Sequence, residues 1–165
     1  GFQVVEALTF HGEVVSSTLI RVSLQNGQPE KSRQLLGRDF YFRGVIFKGA
    51  QRGRTIGVPT ANMRPTVNLT PKKGVYASWF RVKGQWHASI TNVGLNPTVS
   101  KDEQLKIETH LFDFDEDIYD QHCEVRLMTY LRDEKKFDNF NALKNQIMDD
   151  LVLAQKVLKN ELPPT

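Results

Sequence analysis

The feature of this sequence that most restricts its fold is a series of short strand-like segments with no helical pattern between them. Residues 75–82 and 86–90 are rich in apolar and aromatic residues and flank Lys83-Gly84-Gln85, which predicts a hairpin turn. In residues 105–114 and 124–130, apolar and polar residues alternate, which also predicts strands. Phe40, Phe42, Val45 and Phe47 have strand-like composition, with a bulge predicted at Gly44. About six strands with short turns predict a mainly β chain that closes into an antiparallel barrel.

Two short helices are predicted before the barrel. Residues 17–25 and 29–36 have helical patterns, with Gly27 and Gly37 as stops and Ser16 or Ser17 as the first N-cap. Residues 2–5 are a candidate strand remnant.

A long helix is predicted after the barrel, because apolar residues recur at steps of three and four. One face of this helix is therefore expected to pack on the barrel. Asp138 is its predicted N-cap, and Pro163-Pro164 are expected to end it. The apolar stripe consists of Phe140, Leu143, Ile147, Leu151, Ala154 and Leu158.

The composition is that of an ordinary globular domain. The chain has 165 residues, of which 39% are apolar and 25% charged. A net charge of +3 suits an enzyme that handles polyphosphate anions and is too weak to indicate nucleic acid without a basic patch. The single Cys123 excludes an intrachain disulfide, and no apolar run approaches the roughly 20 residues of a membrane span. We therefore expect a cytoplasmic protein with no membrane association.

The loop from Gly49 to Asn62 contains three glycines and two arginines and follows a strand-like run. Glycines let backbone N–H groups approach an anion, and arginines match the geometry of phosphate. A P-loop is excluded because only three residues separate Gly49 from Gly53 and Arg54 replaces the lysine. The loop is either a polyphosphate and Mg²⁺ cradle, in which Thr60 and Asn62 hold the hydrated metal, or a solvated turn.

Glu108 is the candidate general base. In the predicted strand it shares a face with Lys106, His110 and Phe112, while Ile107, Thr109 and Leu111 take the other face. A carboxylate at this position is able to accept a proton from a substrate hydroxyl. The alternative is an exposed carboxylate paired with Lys106 or His110, and His110 itself is expected to be structural.

Several motifs occur in one order along the chain. They are Pro59-Thr60-Ala61-Asn62, Gly74-Val75-Tyr76-Ala77, Asn92-Val93-Gly94-Leu95-Asn96-Pro97-Thr98, Ile107-Glu108-Thr109-His110-Leu111, Asp117-Ile118-Tyr119 and Tyr130-Leu131-Arg132-Asp133-Glu134-Lys135-Lys136-Phe137. With these motifs, residues 40–158 resemble a riboflavin kinase. The resemblance implies a six-stranded Greek-key barrel with a C-terminal helix, and ATP-dependent phosphorylation of the riboflavin 5′-hydroxyl to FMN.

The resemblance also implies site residues. Glu108 would be catalytic, and Thr60 would bind Mg²⁺ together with the ATP. Flavin-binding positions would be Arg132, Lys135 and Phe137, although this run equally suits a charged linker into the helix. Tyr119 equally suits a strand end whose ring packs in the core. The nucleotide-binding positions would be Gly49, Gly53, Arg54, Thr60, Asn62, Leu111, Asp113 and Tyr119.

The N-terminal segment carries a second resemblance. Residues 15–21, with Ser16-Ser17-Thr18, look like the end of the adenylyltransferase module of bacterial bifunctional FAD synthetases. This implies that residues 1–37 are a remnant and linker of that module and residues 38–165 the kinase domain. The partners would be riboflavin or FMN, ATP or ADP, and the adenylyltransferase module of the same longer chain, which would convert FMN to FAD. Without that module we expect FMN alone.

Two positions depart from the family pattern. Asp120 stands where relatives commonly have glycine, so the turn after Tyr119 is uncertain. Val99 stands where many relatives carry an aromatic residue. Two alternatives remain at this point: a flavin- or nucleotide-binding barrel without turnover, and a barrel that binds single-stranded nucleic acid through Trp79, Phe80, Trp86 and arginines.

Overall fold

The computed structural model describes residues 1, 6–49, 53–54, 57–66, 69–96 and 104–164. The candidate strand at residues 2–5 and the departure at Val99 lie outside these residues. The elements in chain order are β1 (Thr9–Phe10), β2 (Glu13–Val14), α1 (Ser17–Gln25), α2 (Pro29–Leu36), β3 (Tyr41–Phe47), β4 (Ala61–Pro65), β5 (Gly74–Val82), β6 (Gln85–Asn96), β7 (Gln104–Leu111), β8 (His122–Arg132) and α3 (Phe140–Leu158).

Helices α1 and α2 have the predicted bounds because their ends are set by local signals. The Ser16 hydroxyl accepts a hydrogen bond from the Leu19 N–H at 3.2 Å, so Ser16 is the N-cap of α1. Gly37 ends α2 in the left-handed conformation, with φ of 68°. Leu24 is 1% exposed and packs in the barrel core, which attaches the helical pair to the barrel.

The predicted antiparallel barrel is confirmed. It closes in the order β3-β4-β7-β6-β5-β8, in which β7 returns to pair with β4, as in a Greek key. Strands β5 and β6 form a hairpin whose two loop residues are Lys83 and Gly84, with φ of 49° and 82°. Among the described residues, no helix has the length and apolar character needed to cross a bilayer.

The barrel interior is mainly apolar but contains a chain of buried hydroxyl groups. The Ser78 Oγ lies 2.8 Å from the Ser89 Oγ and 2.7 Å from the Thr91 Oγ1, which lies 2.9 Å from the Thr109 Oγ1. All four side chains are fully buried. Each hydroxyl therefore has a partner, which offsets the cost of removing it from water.

The predicted bulge at Gly44 is wrong. Gly44 pairs with Pro65 on β4 and with Cys123 on β8 in unbroken register. A Cβ atom at this position would lie 2.1 Å from the Arg64 carbonyl oxygen. The glycine is therefore required by the close approach of β4, a contact between strands that local sequence does not reveal.

Helix α3 differs from its prediction at both ends. Its N-cap is Asn139, whose side-chain oxygen accepts the Ala142 N–H at 2.9 Å, rather than Asp138. The helix ends at Leu158, several residues before Pro163, with Lys159 as its C-cap. Asp138 and Asn139 are both competent caps, and the sequence alone does not distinguish two adjacent ones.

The C-terminal half of α3 packs on the outside of the barrel. This second core contains Ala154 and Leu158, which are 0% and 4% exposed. The barrel residues in it are Val75, Ala77, Trp79, Ile90, Phe112 and Met128. The helix thus covers the β5–β6 face and leaves a cleft beside its N-terminal half.

Candidate active site

Two clefts open on the outer surface of the barrel, and Thr60 lines both. The larger has a volume of about 740 Å³ and lies between the barrel and α3. The smaller has a volume of about 320 Å³ and lies beside the turns after β7. Thr60 is half-buried and immediately precedes β4, so the start of this strand is the junction between the two clefts.

Glu108 lies in the floor of the larger cleft. Strand register places Asn62 of β4 and Asn92 of β6 directly opposite it, on the two neighbouring strands. The predicted alternation of β7 is confirmed, because Ile107 and Thr109 are fully buried while Glu108 lines the cleft. The Glu108 carboxylate thus lines the cleft together with Asn92, while Asn62 is buried on the other neighbouring strand.

Glu108 also makes the contact expected in the alternative interpretation. Its Oε1 forms an ion pair with the Lys106 Nζ at 2.9 Å, and its side chain is 27% exposed. The lysine occupies one carboxylate oxygen only. The ion pair therefore leaves the second carboxylate oxygen without this contact, and 27% of the side chain stays exposed.

His110 makes structural contacts and also lines the larger cleft. Its Nδ1 lies 2.7 Å from the Pro59 carbonyl oxygen, and since a carbonyl only accepts, Nδ1 is the donor. The ring contacts Phe112 edge-on, with ring centroids 5.8 Å apart. His110 thereby ties the segment before Thr60 to β7.

The glycines near the junction are required by close packing. A Cβ atom on Gly49 would lie 2.4 Å from the Asn62 amide nitrogen, and one on Gly53 would lie 2.1 Å from the Val58 carbonyl oxygen. The Val58 N–H donates to the Gly53 carbonyl at 2.9 Å, which holds these two residues together. Asn62 is only 4% exposed, beneath Gly49. Residues 50–52 and 55–56 of the loop, including Arg52, lie outside the described residues.

The far side of the larger cleft is formed by residues after β8 and by α3. The predicted flavin-binding residues Arg132, Lys135 and Phe137 all line this cleft. Arg132 makes an ion pair with Asp150 of α3, with 2.6 Å between Nη2 and Oδ2. Sequence reasoning missed Asp150, because a single acidic residue on a helix carries no signal of its partner.

An apolar wall completes the larger cleft. It consists of Val75, Ile90, Phe140, Leu143, Ile147 and Leu151. The helical members were predicted to pack on the barrel, but Leu143 and Ile147 are only half-buried and Phe140 is 54% exposed. An apolar wall opposite a polar floor suits a flat aromatic ligand with a polar tail.

Half of the predicted nucleotide-binding residues line the smaller cleft, whereas Gly53 lines the larger one. Arg54, Thr60, Leu111 and Tyr119 line the smaller cleft, together with the acidic segment 115–117. Asp113 is exposed, with φ of 52°, and does not line either cleft. At the rim, the hydrogen bond and charge of Lys83 lower the pKa of Glu116.

The turn after Tyr119 keeps a conformation that glycine favours. Asp120 has φ of 62°, and its N–H donates to the Ile46 carbonyl at 2.9 Å. Aspartate is among the non-glycine residues that enter the left-handed region most readily. The departure at Asp120 therefore leaves the hydrogen bond between this turn and β3 in place.

The donor set at the junction fits a hard divalent cation. A hydroxyl and an amide supply the oxygen ligands that Mg²⁺ accepts alongside water and phosphate. Thr60, which lines both clefts, carries the hydroxyl, and Asn62, which is 4% exposed and lines neither cleft, carries the amide two residues further along the chain. Over the described residues, three or more His, Cys, Asp or Glu side chains do not come together in a way that would hold a metal.

A family model for riboflavin kinase (flavokinase) matches residues 36–158 of the chain. The chain belongs to the riboflavin kinase family. A bifunctional riboflavin kinase/FMN adenylyltransferase from Listeria monocytogenes is 38% identical over 148 residues, which is 89% of this chain and 47% of that protein. The chain spans about half the length of the curated relatives it matches.

Two solved structures are similar to this riboflavin kinase family member. A Streptococcus pneumoniae crystal structure described as a macrolide-efflux protein has a TM-score of 0.83 and 32% identity, covering 96% of this chain and 51% of that one. Riboflavin kinase from Trypanosoma brucei has a TM-score of 0.56 and 20% identity, covering 73% and 80%. The second similarity shows the shared fold alone.

Proposed function

We propose that this chain transfers the terminal phosphoryl group of ATP to the 5′-hydroxyl of riboflavin, giving FMN and ADP. One observation carries the proposal: Thr60 lines both clefts, and Glu108 lies in the floor of the larger one. A nucleotide in the smaller cleft and a flavin in the larger cleft would meet at Thr60. The acceptor hydroxyl would then lie between a carboxylate and the phosphate chain.

In this proposal Glu108 accepts the proton of the attacking hydroxyl. Lys106 contacts one carboxylate oxygen at 2.9 Å, and the other oxygen would accept the proton. Asn92, opposite Glu108 on β6, positions the ribityl chain by hydrogen bonding. The apolar wall of the larger cleft accommodates the isoalloxazine ring and excludes water from it.

The phosphates would be held at the junction of the clefts. Arg54 supplies positive charge in the smaller cleft, and the Thr60 hydroxyl and Asn62 amide would hold Mg²⁺. When bound, this ion neutralises charge on the phosphate oxygens. The preference for Mg²⁺ over other divalent ions is part of the proposal. The assignment of Thr60 and Asn62 is tested by titrating MgATP into Thr60→Val and Asn62→Ala by calorimetry. Unchanged MgATP affinity in both variants would exclude the assignment.

The decisive experiment incubates the chain with riboflavin and MgATP and separates the products by chromatography. We expect FMN. Glu108→Gln should lower kcat by about 10²–10⁴-fold with a native circular dichroism spectrum, because proton transfer matters only in the transition state. The same substitution at Glu13, an exposed residue paired with Lys31 away from both clefts, is the matched control. Near wild-type turnover in Glu108→Gln would remove Glu108 from the mechanism.

The longer protein is part of the proposal. We infer that residues 1–37 close an adenylyltransferase module, that residues 38–165 are the kinase domain, and that the full protein makes FAD in the cytoplasm. The length and name of the curated relatives support this inference. The chain alone should give FMN and no FAD, and FAD among its products would contradict the division.

Binding without turnover is the remaining alternative for this site. It would appear as saturable riboflavin and ATP binding with no release of ADP. Nucleic-acid binding is not favoured, because Trp79 and Phe80 are 8% and 0% exposed. Trp86 is covered by the Arg126 and Arg81 guanidinium groups at 4.7 and 5.7 Å from its ring centroid. Free aromatic faces for stacking bases are therefore lacking at these three residues.

A further inference from the structure

Each of the three guanidinium nitrogens of Arg132 donates to a group of the protein. Its Nε donates to both carboxylate oxygens of Asp150, at 2.8 and 3.0 Å, and its Nη2 donates to Oδ2 at 2.6 Å. Its Nη1 donates to the Asp133 carbonyl at 2.8 Å. These contacts fix the orientation of the guanidinium group, so it does not reorient freely toward a ligand.

Asp150 is held from two sides. Besides Arg132, the Gln146 amide one turn earlier in α3 donates to its Oδ1 at 3.0 Å. The Asp150 side chain is only 7% exposed and that of Arg132 only 17%. Burying a carboxylate to this extent is costly unless its hydrogen bonds are satisfied, so the pair has one favourable geometry.

This contact lies at the turn of α3 that borders the larger cleft. Ile147 and Leu151, on either side of Asp150, line the cleft, and so do Asp150 and Arg132. Arg132 is the last residue of β8 and pairs with Val75, another lining residue. The ion pair therefore joins the barrel wall of the cleft to its helical wall.

Among the described residues, the C-terminal core reaches this turn only through Leu151, which is half-buried against it. Ala154 and Leu158 pack against the barrel, whereas the helical residues before Asp150 are half-buried or exposed. Asp150 is the first buried side chain along α3, and Ala154 and Leu158 follow it. The contact between Asp150 and Arg132 is thus the buried polar link between α3 and the barrel beside the cleft.

We propose that Asp150 is a positioning residue that acts through Arg132 to fix the distance between α3 and the barrel, and thereby sets riboflavin affinity. The inference rests on the proposed function, since it assigns the flavin ring to the larger cleft. Asp150 takes no part in the proton transfer or in nucleotide binding. Its loss should weaken riboflavin binding and leave the phosphoryl-transfer groups in place.

The test uses Asp150→Asn, with Asp149→Asn, an exposed neighbour on the same helix, as matched control. Asp150→Asn should raise both KM and the fluorescence-quenching Kd for riboflavin about tenfold, because a misplaced wall loses contacts with the ring. The KM for ATP and kcat should change less than about threefold. Asp149→Asn should change none of them.

A second comparison separates positioning from stability alone. The double variant Arg132→Met/Asp150→Leu replaces the pair with apolar groups of similar size, which commonly restores stability. We expect near wild-type unfolding free energy but riboflavin affinity still reduced about tenfold, because the directional contact is absent. This variant also provides the test should Asp150→Asn not fold. Asp150→Glu, which keeps the charge, should recover part of the affinity.

The outcomes are distinct. An unchanged riboflavin Kd in folded Asp150→Asn would overturn the inference. A fall in kcat with equal rises in both KM values would also overturn it. Wild-type affinity in the apolar double variant would do the same. If the wild-type chain binds riboflavin without making FMN, the proposed function fails, while a tenfold change in Kd still supports the role of Asp150. Absence of riboflavin binding in the wild type would overturn both.

Discussion

The two halves of α3 carry the same apolar periodicity but meet different surroundings. In the C-terminal half, Ala154 and Leu158 are 0% and 4% exposed and pack against strands of the barrel. In the N-terminal half, Phe140 is 54% exposed, and Leu143 and Ile147 are half-buried around a cleft of about 740 Å³. A continuous hydrophobic stripe thus serves as protein core at one end and as the wall of a cleft at the other.

The difference shows how to interpret an amphipathic helix at the edge of a domain. Periodicity indicates which face avoids water, but it does not indicate whether protein or ligand covers that face. In this chain the boundary between the two uses lies near Asp150, where the helix is bound to Arg132. Substitutions on either side of this boundary should therefore have different consequences.

The largest effect is expected in the C-terminal half. Leu158→Ala should lower the free energy of unfolding by about 2–4 kcal/mol, because it leaves a cavity in a packed core. The KM for riboflavin of the folded enzyme should not change. Urea denaturation and steady-state kinetics measure the two quantities, and a raised riboflavin KM with unchanged stability would contradict the division of the helix.

Hydrogen exchange should detect the same division without any substitution. With free riboflavin at ten times its Kd, amide exchange that requires opening of the cleft should slow about tenfold in the first half of α3. Amides near Leu158 should show a smaller change, because they are already protected by the core. Equal slowing along the whole helix would argue that riboflavin stabilises the domain globally.

A smaller effect is expected for Ile147→Ala. It should raise riboflavin KM about fivefold, since the side chain contributes only part of the apolar wall. The free energy of unfolding should fall by less than about 1 kcal/mol, because the side chain is already half-exposed without ligand. A stability loss as large as that of Leu158→Ala would place Ile147 in the core instead.

The smallest effect is expected on the outer face of the helix. Val152 is 67% exposed. Val152→Ala should therefore change the free energy of unfolding by less than about 0.5 kcal/mol and leave both KM values unchanged. A large change in either would indicate that this face is covered in solution.

Local signals account for the parts of the fold that were predicted well. Helices α1 and α2 match because Ser16, Pro29 and Gly37 act on their own neighbours in sequence. The barrel was predicted because alternation in each strand implies one buried face, and its closure in the order β3-β4-β7-β6-β5-β8 agrees with the Greek key implied by the family resemblance.

The errors and omissions concern contacts between distant segments. Gly44 is required by the Arg64 carbonyl of the neighbouring strand, and the buried hydroxyl chain of Ser78, Thr91 and Thr109 joins three strands. The pair between Arg132 and Asp150 links a strand to a helix. Each of these depends on how elements pack together, which periodicity within one element does not encode.

The candidate site was predicted mainly from motif resemblance. Loop chemistry and alternation indicated Thr60 and Glu108 without distinguishing a site from a solvated turn or a surface ion pair. Their convergence on two adjoining clefts, through Thr60, required the fold. The roles of Thr60 and Glu108, like those of Lys135, Phe137 and Asp113, stay predictions.

The single cysteine gives the molecule a built-in reporter of global opening. The Cys123 thiol lies inside the barrel, 3.6 Å from the Gly44 carbonyl oxygen and 3.3 Å from the Met63 sulfur. Burial raises its pKa to about 12, so the reactive thiolate is scarce in the native state at neutral pH. An alkylating reagent should consequently modify Cys123 only as fast as β3 and β8 separate. The rate of Cys123 labelling therefore measures the rate of barrel opening.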